Sequence, residues 1–147
     1  SGLNPNVRSH RGAVGIMQLL PSTGGEVGIR GARLTSLEGN VEAACRYMRL
    51  ILDTYFNDPG MDRLNRHLFA LAAYNAGPNR VQALQARARE RGLDPNVWFG
   101  NVEQLVANEV GQGPINYVGT IYKYYVAYRF SLPQLEGKSE AIEAAQP

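Results

Sequence analysis

Two short stretches, Gly12-Ala13-Val14-Gly15-Ile16-Met17-Gln18 and Ala73-Tyr74-Asn75-Ala76-Gly77, hold the residue types of this 147-residue chain best suited to gripping a polymer. Glycines at 12 and 15 clear side chains from one surface, so a ligand can approach the backbone closely. Met17 adds an adaptable apolar contact, and Gln18 adds an amide that both donates and accepts. The pair suits a sugar bearing an N-acetyl group, whose methyl seeks apolar contact and whose amide seeks a partner. In the second stretch, the Tyr74 hydroxyl suits an acid in a cleft, because a buried tyrosine hydroxyl normally finds a partner. Asn75 can offer its amide to a sugar hydroxyl. Taken singly, each residue also suits plain packing: Gly15 for close helix contact, Met17 as core filler, Asn75 and Gly77 as a helix terminus.

Other chemistries find less support. His10 sits in a loop and His67 on a helix, and neither is accompanied by a second set of ligands, so no metal is assigned and no cofactor is expected. Cys45 is the only cysteine, which excludes an internal disulfide and a thiolate zinc site. It falls on the apolar side of an expected helix, as a small buried hydrophobe. Five of the eight tyrosines fall within residues 117–128, where flat rings suit stacking on sugars and equally suit a helix core. A net charge of +2 is too small for a nucleic-acid surface, and Arg87, Arg89 and Arg91 read as a solvated helix end. No apolar run approaches the ~20 residues of a membrane helix, and no signal peptide is visible.

The elements that must position these residues read as helices throughout. Residues 13–20 form an expected short helix stopped by Pro21, and Ser22 to Gly39 an expected surface connection. Asn40 caps an expected helix whose apolar positions are Val41, Ala44, Cys45, Met48, Ile51, Leu52 and Tyr55. A third helix runs from about Met61 to Asn75, with Leu64, Leu68, Leu71 and Ala72 inward. Gly77 terminates it and Pro78 opens the next, which ends at Gly92. Asn101 caps a helix with Val102, Leu105 and Val106, and Pro114 opens the last one. With 44% apolar and 19% charged residues, the composition is that of one ordinary globular domain.

The ordered motifs resemble those of the soluble lytic transglycosylases, goose-lysozyme-like enzymes that cut peptidoglycan glycan strands. The likeness spans Ser1 to about Phe130. Ser1-Gly2-Leu3-Asn4-Pro5 is similar to the Ser-x-x-Asn/Asp-Pro run that follows the family's catalytic glutamate. Ser9-His10-Arg11-Gly12-Ala13 is similar to its Ser-x-x-Gly-Ala string. Gly12 to Gln18, with Leu19-Leu20-Pro21-Ser22-Thr23 after it, resembles the second motif, and Ala73 to Gly77 the third. Tyr117-Val118-x-x-Ile121 resembles the late Tyr-Val-x-x-Ile motif, although Gly113 and Pro114 stand where the family often has Glu-Thr. Gly113-Pro114-x-x-Tyr117-Val118 and the Tyr122-Lys123-Tyr124-Tyr125 run are similar to membrane-bound members that carry a solute-binding domain ahead of the catalytic one.

The resemblance implies an all-α, lysozyme-like domain over residues 1–130, lacking the N-terminal helix that would carry the glutamate, followed by a tail or linker over 131–147. It implies non-hydrolytic cleavage of the MurNAc–GlcNAc bond to anhydromuramyl products. One glutamate directly before Ser1 serves as acid and then base, supported by Ser9 and Tyr74. Met17, Gln18, Tyr74, Asn75 and Tyr117 bind substrate, and Ala13, Ile16, Met17 and Tyr74 wall the acid's pocket. Glu26, Glu38 and Glu42 do not stand at the family position. The 147 residues alone are therefore expected to be inactive; a non-catalytic glycan-binding relative is the alternative. The implied partner is peptidoglycan in the bacterial periplasm or envelope. The protein is expected to be a monomer, with any membrane association made through parts outside this chain.

Overall fold

A computed structural model describes residues 4–144, with side chains to residue 132. Ser1 to Leu3, where the glutamate-flanking motif begins, lie outside the described residues, as do 145–147 of the expected tail. The fold is helical, as its resemblance implies. Its elements are α1 (Pro21–Glu26), α2 (Gly31–Thr35), α3 (Leu37–Thr54), α4 (Arg63–Ala76), α5 (Pro78–Glu90), α6 (Glu103–Glu109) and α7 (Gln112–Ala144). Among the described residues there is no strand, only the isolated bridges Arg8 with Val14 and Val14 with Leu19. No described helix is long and apolar enough to cross a membrane.

The first expectation fails locally. Residues 13–20 are a bridged turn instead of a helix: Val14 and Leu19 exchange both backbone hydrogen bonds, at 2.8 and 3.1 Å. Positive φ at Gly12, Gly15 and Gln18 rules out right-handed helix across the segment. Pro21 accordingly opens α1 at its first turn and does not stop a helix. The expected surface connection also holds two short helices and buries Gly24, Ile29 and Leu34.

Helix α3 starts earlier than expected because Ser36 is its cap, its Oγ accepting from Gly39 N at 3.1 Å. Asn40 is therefore a buried residue one turn inside the helix. The buried face of α3 carries Asn40, Ala43, Ala44, Tyr47 and Ile51. Cys45 lies outside it and is exposed, as is Val41, so the expectation of a buried thiol is corrected. The expected stripe was rotated because Asn40 and Tyr47 were not counted as core.

Asp62 caps α4, accepting from Asn65 N at 2.8 Å, and these donors hold its carboxyl below the usual range. Leu68, Phe69, Ala72 and Ala73 are buried on α4, while Leu64 is exposed. Phe56 stacks on Phe69 at 5.4 Å between centroids, and Phe69 meets Trp98 edge-on at 5.5 Å. All three rings of this aromatic trio are buried in the core. Gly77, with φ of 95°, separates α4 from α5 as expected. Arg87 and Arg91 both pair with Glu109, so the arginine cluster ties α5 to α6 and is not simply solvated. Asn101 accepts from Asp94 N at 2.9 Å and does not cap α6. The last helix begins two residues before Pro114 and continues through Ala144, so the backbone of 131–144, expected as a tail or linker, is helical.

Candidate active site

The bridged turn at Gly12–Leu19 is built from inside the chain. Ser9 Oγ accepts from Ala13 N at 3.0 Å, while Ser9 N donates to Ala13 O at 2.9 Å. That closes the loop from Ser9 to Ala13 and leaves the serine hydroxyl proton for another acceptor. Gly15 N donates to Val7 O at 3.0 Å, drawing the segment after Asn4 against the turn. Gln18 Nε2 donates to Gly15 O at 2.7 Å and to Val7 O at 3.4 Å. Its amide nitrogen thus braces the turn, and the amide oxygen is the part left to contact a ligand.

Met17 is fixed at both of its backbone polar groups. Its N–H donates to Asn40 Oδ1 at 2.9 Å, from α3 below. Its carbonyl accepts the Tyr74 hydroxyl at 2.9 Å, from the C-terminal half of α4. The Met17 side chain is 37% exposed, so it presents an apolar surface beside the tyrosine. Ala13 is buried and Ile16 half-buried.

Tyr74 packs against Tyr47 with ring centroids 5.7 Å apart. Burial pushes its phenol well above the usual tyrosine range, with smaller contributions from Tyr117, Tyr47 and Cys45. Tyr117 lies in the early part of α7, which packs against α4, and burial raises its own phenol too. Neither ring ionises near neutrality, so both act as neutral hydrogen-bonding groups in a partly desolvated place. Because the Tyr74 proton is committed to Met17, its oxygen is left to accept. A protonated carboxyl placed there gains a partner, and a carboxylate does not.

The structure thus brings Met17, Gln18 and Tyr74 together, with Ser9 closing the adjacent loop, and Tyr117 lies on α7, which packs against α4. Asn75 is exposed near the end of α4 and makes no hydrogen bond to them. A hollow bordered by Arg8, Val14 and Pro21 lies against the turn, and two open ones lie away from it. One of about 600 Å³ lies between α4 and α7, lined by Leu64, Leu71, Ile121 and Tyr125. One of about 430 Å³ lies between Tyr55, Gln82 and Arg89. Leu71 and Ile121 stand one helical turn from Tyr74 and Tyr117, so the larger hollow adjoins the site along the same helix faces. The residue missed from sequence is Asn40. Its signal was available: an asparagine inside a helix, four residues past a serine able to cap it.

A family model described as the transglycosylase SLT domain matches residues 1–96. The late Tyr117 motif lies beyond that span. Several similar proteins are each named membrane-bound lytic murein transglycosylase F. The one from Desulfosudis oleivorans is 36% identical over 105 residues, covering 71% of this chain and 22% of that protein. The one from Shewanella woodyi is 32% identical over 135 residues, with 83% and 27% covered. The one from Shewanella halifaxensis is 29% identical over 159 residues, with 97% and 33% covered. The chain spans from about a fifth to a third of the length of these relatives.

Proposed function

This chain belongs to the transglycosylase SLT domain family, and from that premise we propose that it is the glycan-cleaving domain of a peptidoglycan lytic transglycosylase. The reaction breaks the MurNAc–GlcNAc bond without water and leaves an anhydromuramyl end. The observation that carries this reading is the bond from Tyr74 to the Met17 carbonyl, which joins two motifs 57 residues apart. We assign Tyr117, on the helix that packs against α4, to the same surface.

One carboxyl has to serve twice in this chemistry, unlike the paired carboxylates of most glycosidases. It protonates the glycosidic oxygen, then takes the proton from the sugar's hydroxymethyl hydroxyl as that oxygen closes the ring. We assign this role to a glutamate directly before Ser1 in the parent polypeptide. To begin protonated near neutral pH it needs desolvation, which raises a carboxyl's pKa. The apolar walls of Ala13, Ile16 and Met17 favour that state, and the Tyr74 oxygen accepts its proton. Ser9 has a proton to give the carboxylate that forms after transfer, so the two hydroxyls stabilise opposite charge states. Met17, the Gln18 amide oxygen, Asn75 and Tyr117 hold the N-acetylated sugars. The setting is the bacterial envelope, on its periplasmic side, and the domain acts as a monomer.

Digestion of purified sacculi by the full-length parent protein tests this, with products separated and weighed. Anhydromuramyl products, lighter by one water than hydrolysis products, are expected. Reducing-end products would refute a transglycosylase. Retention on sacculi with no release would make the protein a glycan-binding relative. Replacement of the residue before Ser1 by glutamine should abolish release and leave retention intact.

A further inference from the structure

We infer that Asn40 is a positioning residue for glycan recognition, acting through the Met17 backbone without touching the glycan; this rests on the glycan-binding reading above. Asn40 is 1% exposed and is the one buried polar residue among those described. A buried amide is costly unless all its groups are paired, and here they are. Nδ2 donates to Val14 O at 3.1 Å and to Leu34 O at 3.0 Å, while Oδ1 accepts from Met17 N at 2.9 Å. One side chain therefore pins the bridged turn, the end of α2 and α3 together.

The turn needs such a pin. Gln18 is the only described non-glycine residue with positive φ, at 52°. A conformation of that kind persists only where the surroundings over-determine it. Asn40 grips the Met17 N–H from beneath, and Tyr74 grips the Met17 carbonyl from α4. With both groups held, the direction of the exposed Met17 side chain is set before any ligand arrives, as a pre-organised binding site requires. Gly15 belongs to the same device. A Cβ there would lie 2.4 Å from Asn40 Cγ and Oδ1, so the turn closes over the amide only because residue 15 is glycine.

The test measures affinity for tetra-N-acetylchitotetraose by calorimetry, at a temperature where every variant is folded by circular dichroism. Asn40→Ala and Asn40→Asp should each weaken binding by about 10- to 100-fold, the scale on which small misplacements of a binding group act. Val81→Ala, a core truncation in α5 away from the turn, serves as the destabilised control and should bind as wild type. Wild-type-like affinity in the Asn40 variants, or an equal loss in Val81→Ala, overturns the inference while the glycan-binding reading stands. No binding by the wild type overturns both. If the Asn40 variants do not fold, NMR on the wild type decides. The Asn40 side-chain amide protons should shift as the oligosaccharide is titrated, and unmoved resonances reject the coupling.

Discussion

Gly15→Ala should destabilise the domain by about 2–5 kcal/mol, and most of the larger part should vanish when Asn40 is also removed. Two contributions make up the figure. Residue 15 sits at φ of +76°, where an L side chain costs about 1–2 kcal/mol relative to glycine. The added methyl also meets three Asn40 amide atoms at 2.4–2.5 Å. That amide is tethered by its three hydrogen bonds and cannot swing aside without breaking them. Overpacking of this sort costs about 1–3 kcal/mol. Asn40→Ala alone strands the Met17 N–H and takes the amide from the Leu34 carbonyl, at about 1–3 kcal/mol for each group left dry, while the Val14 carbonyl keeps Leu19 N. In the double variant the obstacle is gone and only the backbone strain at residue 15 remains. Its cost should therefore fall short of the sum of the single variants by about 1–3 kcal/mol. Urea unfolding of the four proteins, followed by far-ultraviolet circular dichroism at one temperature, measures this cycle. Additivity within about 0.5 kcal/mol would mean the two residues do not meet, and the account of the turn fails.

Tyr74→Phe removes the tether on Met17 and should cost about 0.5–1.5 kcal/mol in the same assay, the net worth of an ordinary hydrogen bond; no loss would mean the bond does not form in solution. Burial raises the phenols of Tyr74, Tyr117 and Tyr47 in the fold, whereas unfolded tyrosines titrate at about 10. The folded state then holds more protons, so the stability these rings supply is intact below about pH 10 and drains away as pH rises further. Unfolding free energies from pH 8 to 12 should show that downward slope, shallower in Tyr74→Phe; a flat profile contradicts the burial. Cys45 is exposed and should react with a maleimide in the native protein as fast as a small-molecule thiol. Protection of the thiol would restore the buried assignment.

Helices α4 and α5 are legible in the sequence because their signals are local, whereas Asn101 does not cap α6 and α7 starts before Pro114 and runs on through 131–144. Gly77 marks the end of α4, and apolar spacing picks out Leu68 and Ala72 within it, although it also points to the exposed Leu64. The turn at 13–20 was not legible. Val14, Ile16, Leu19 and Leu20 have helix-like spacing, and only pairing of Val14 with Leu19, together with the grip of Asn40, overrules it. Cys45 went astray for a related reason. The inward face of α3 is decided by which residues meet the turn and α4, and a polar asparagine sits at its centre.

By itself, the order of residues determined the helical class, the motif strings and the types of group able to hold an N-acetylated glycan. Those properties depend on side-chain chemistry and on near neighbours along the chain. Tertiary structure alone decided that Tyr74 spends its proton on Met17 and that Asn40 is buried beneath the turn. Each depends on a donor and an acceptor from distant segments arriving within 3 Å or so in a dry place. A hydrogen bond is chosen by whichever partner the fold delivers, and no spacing along a chain specifies that.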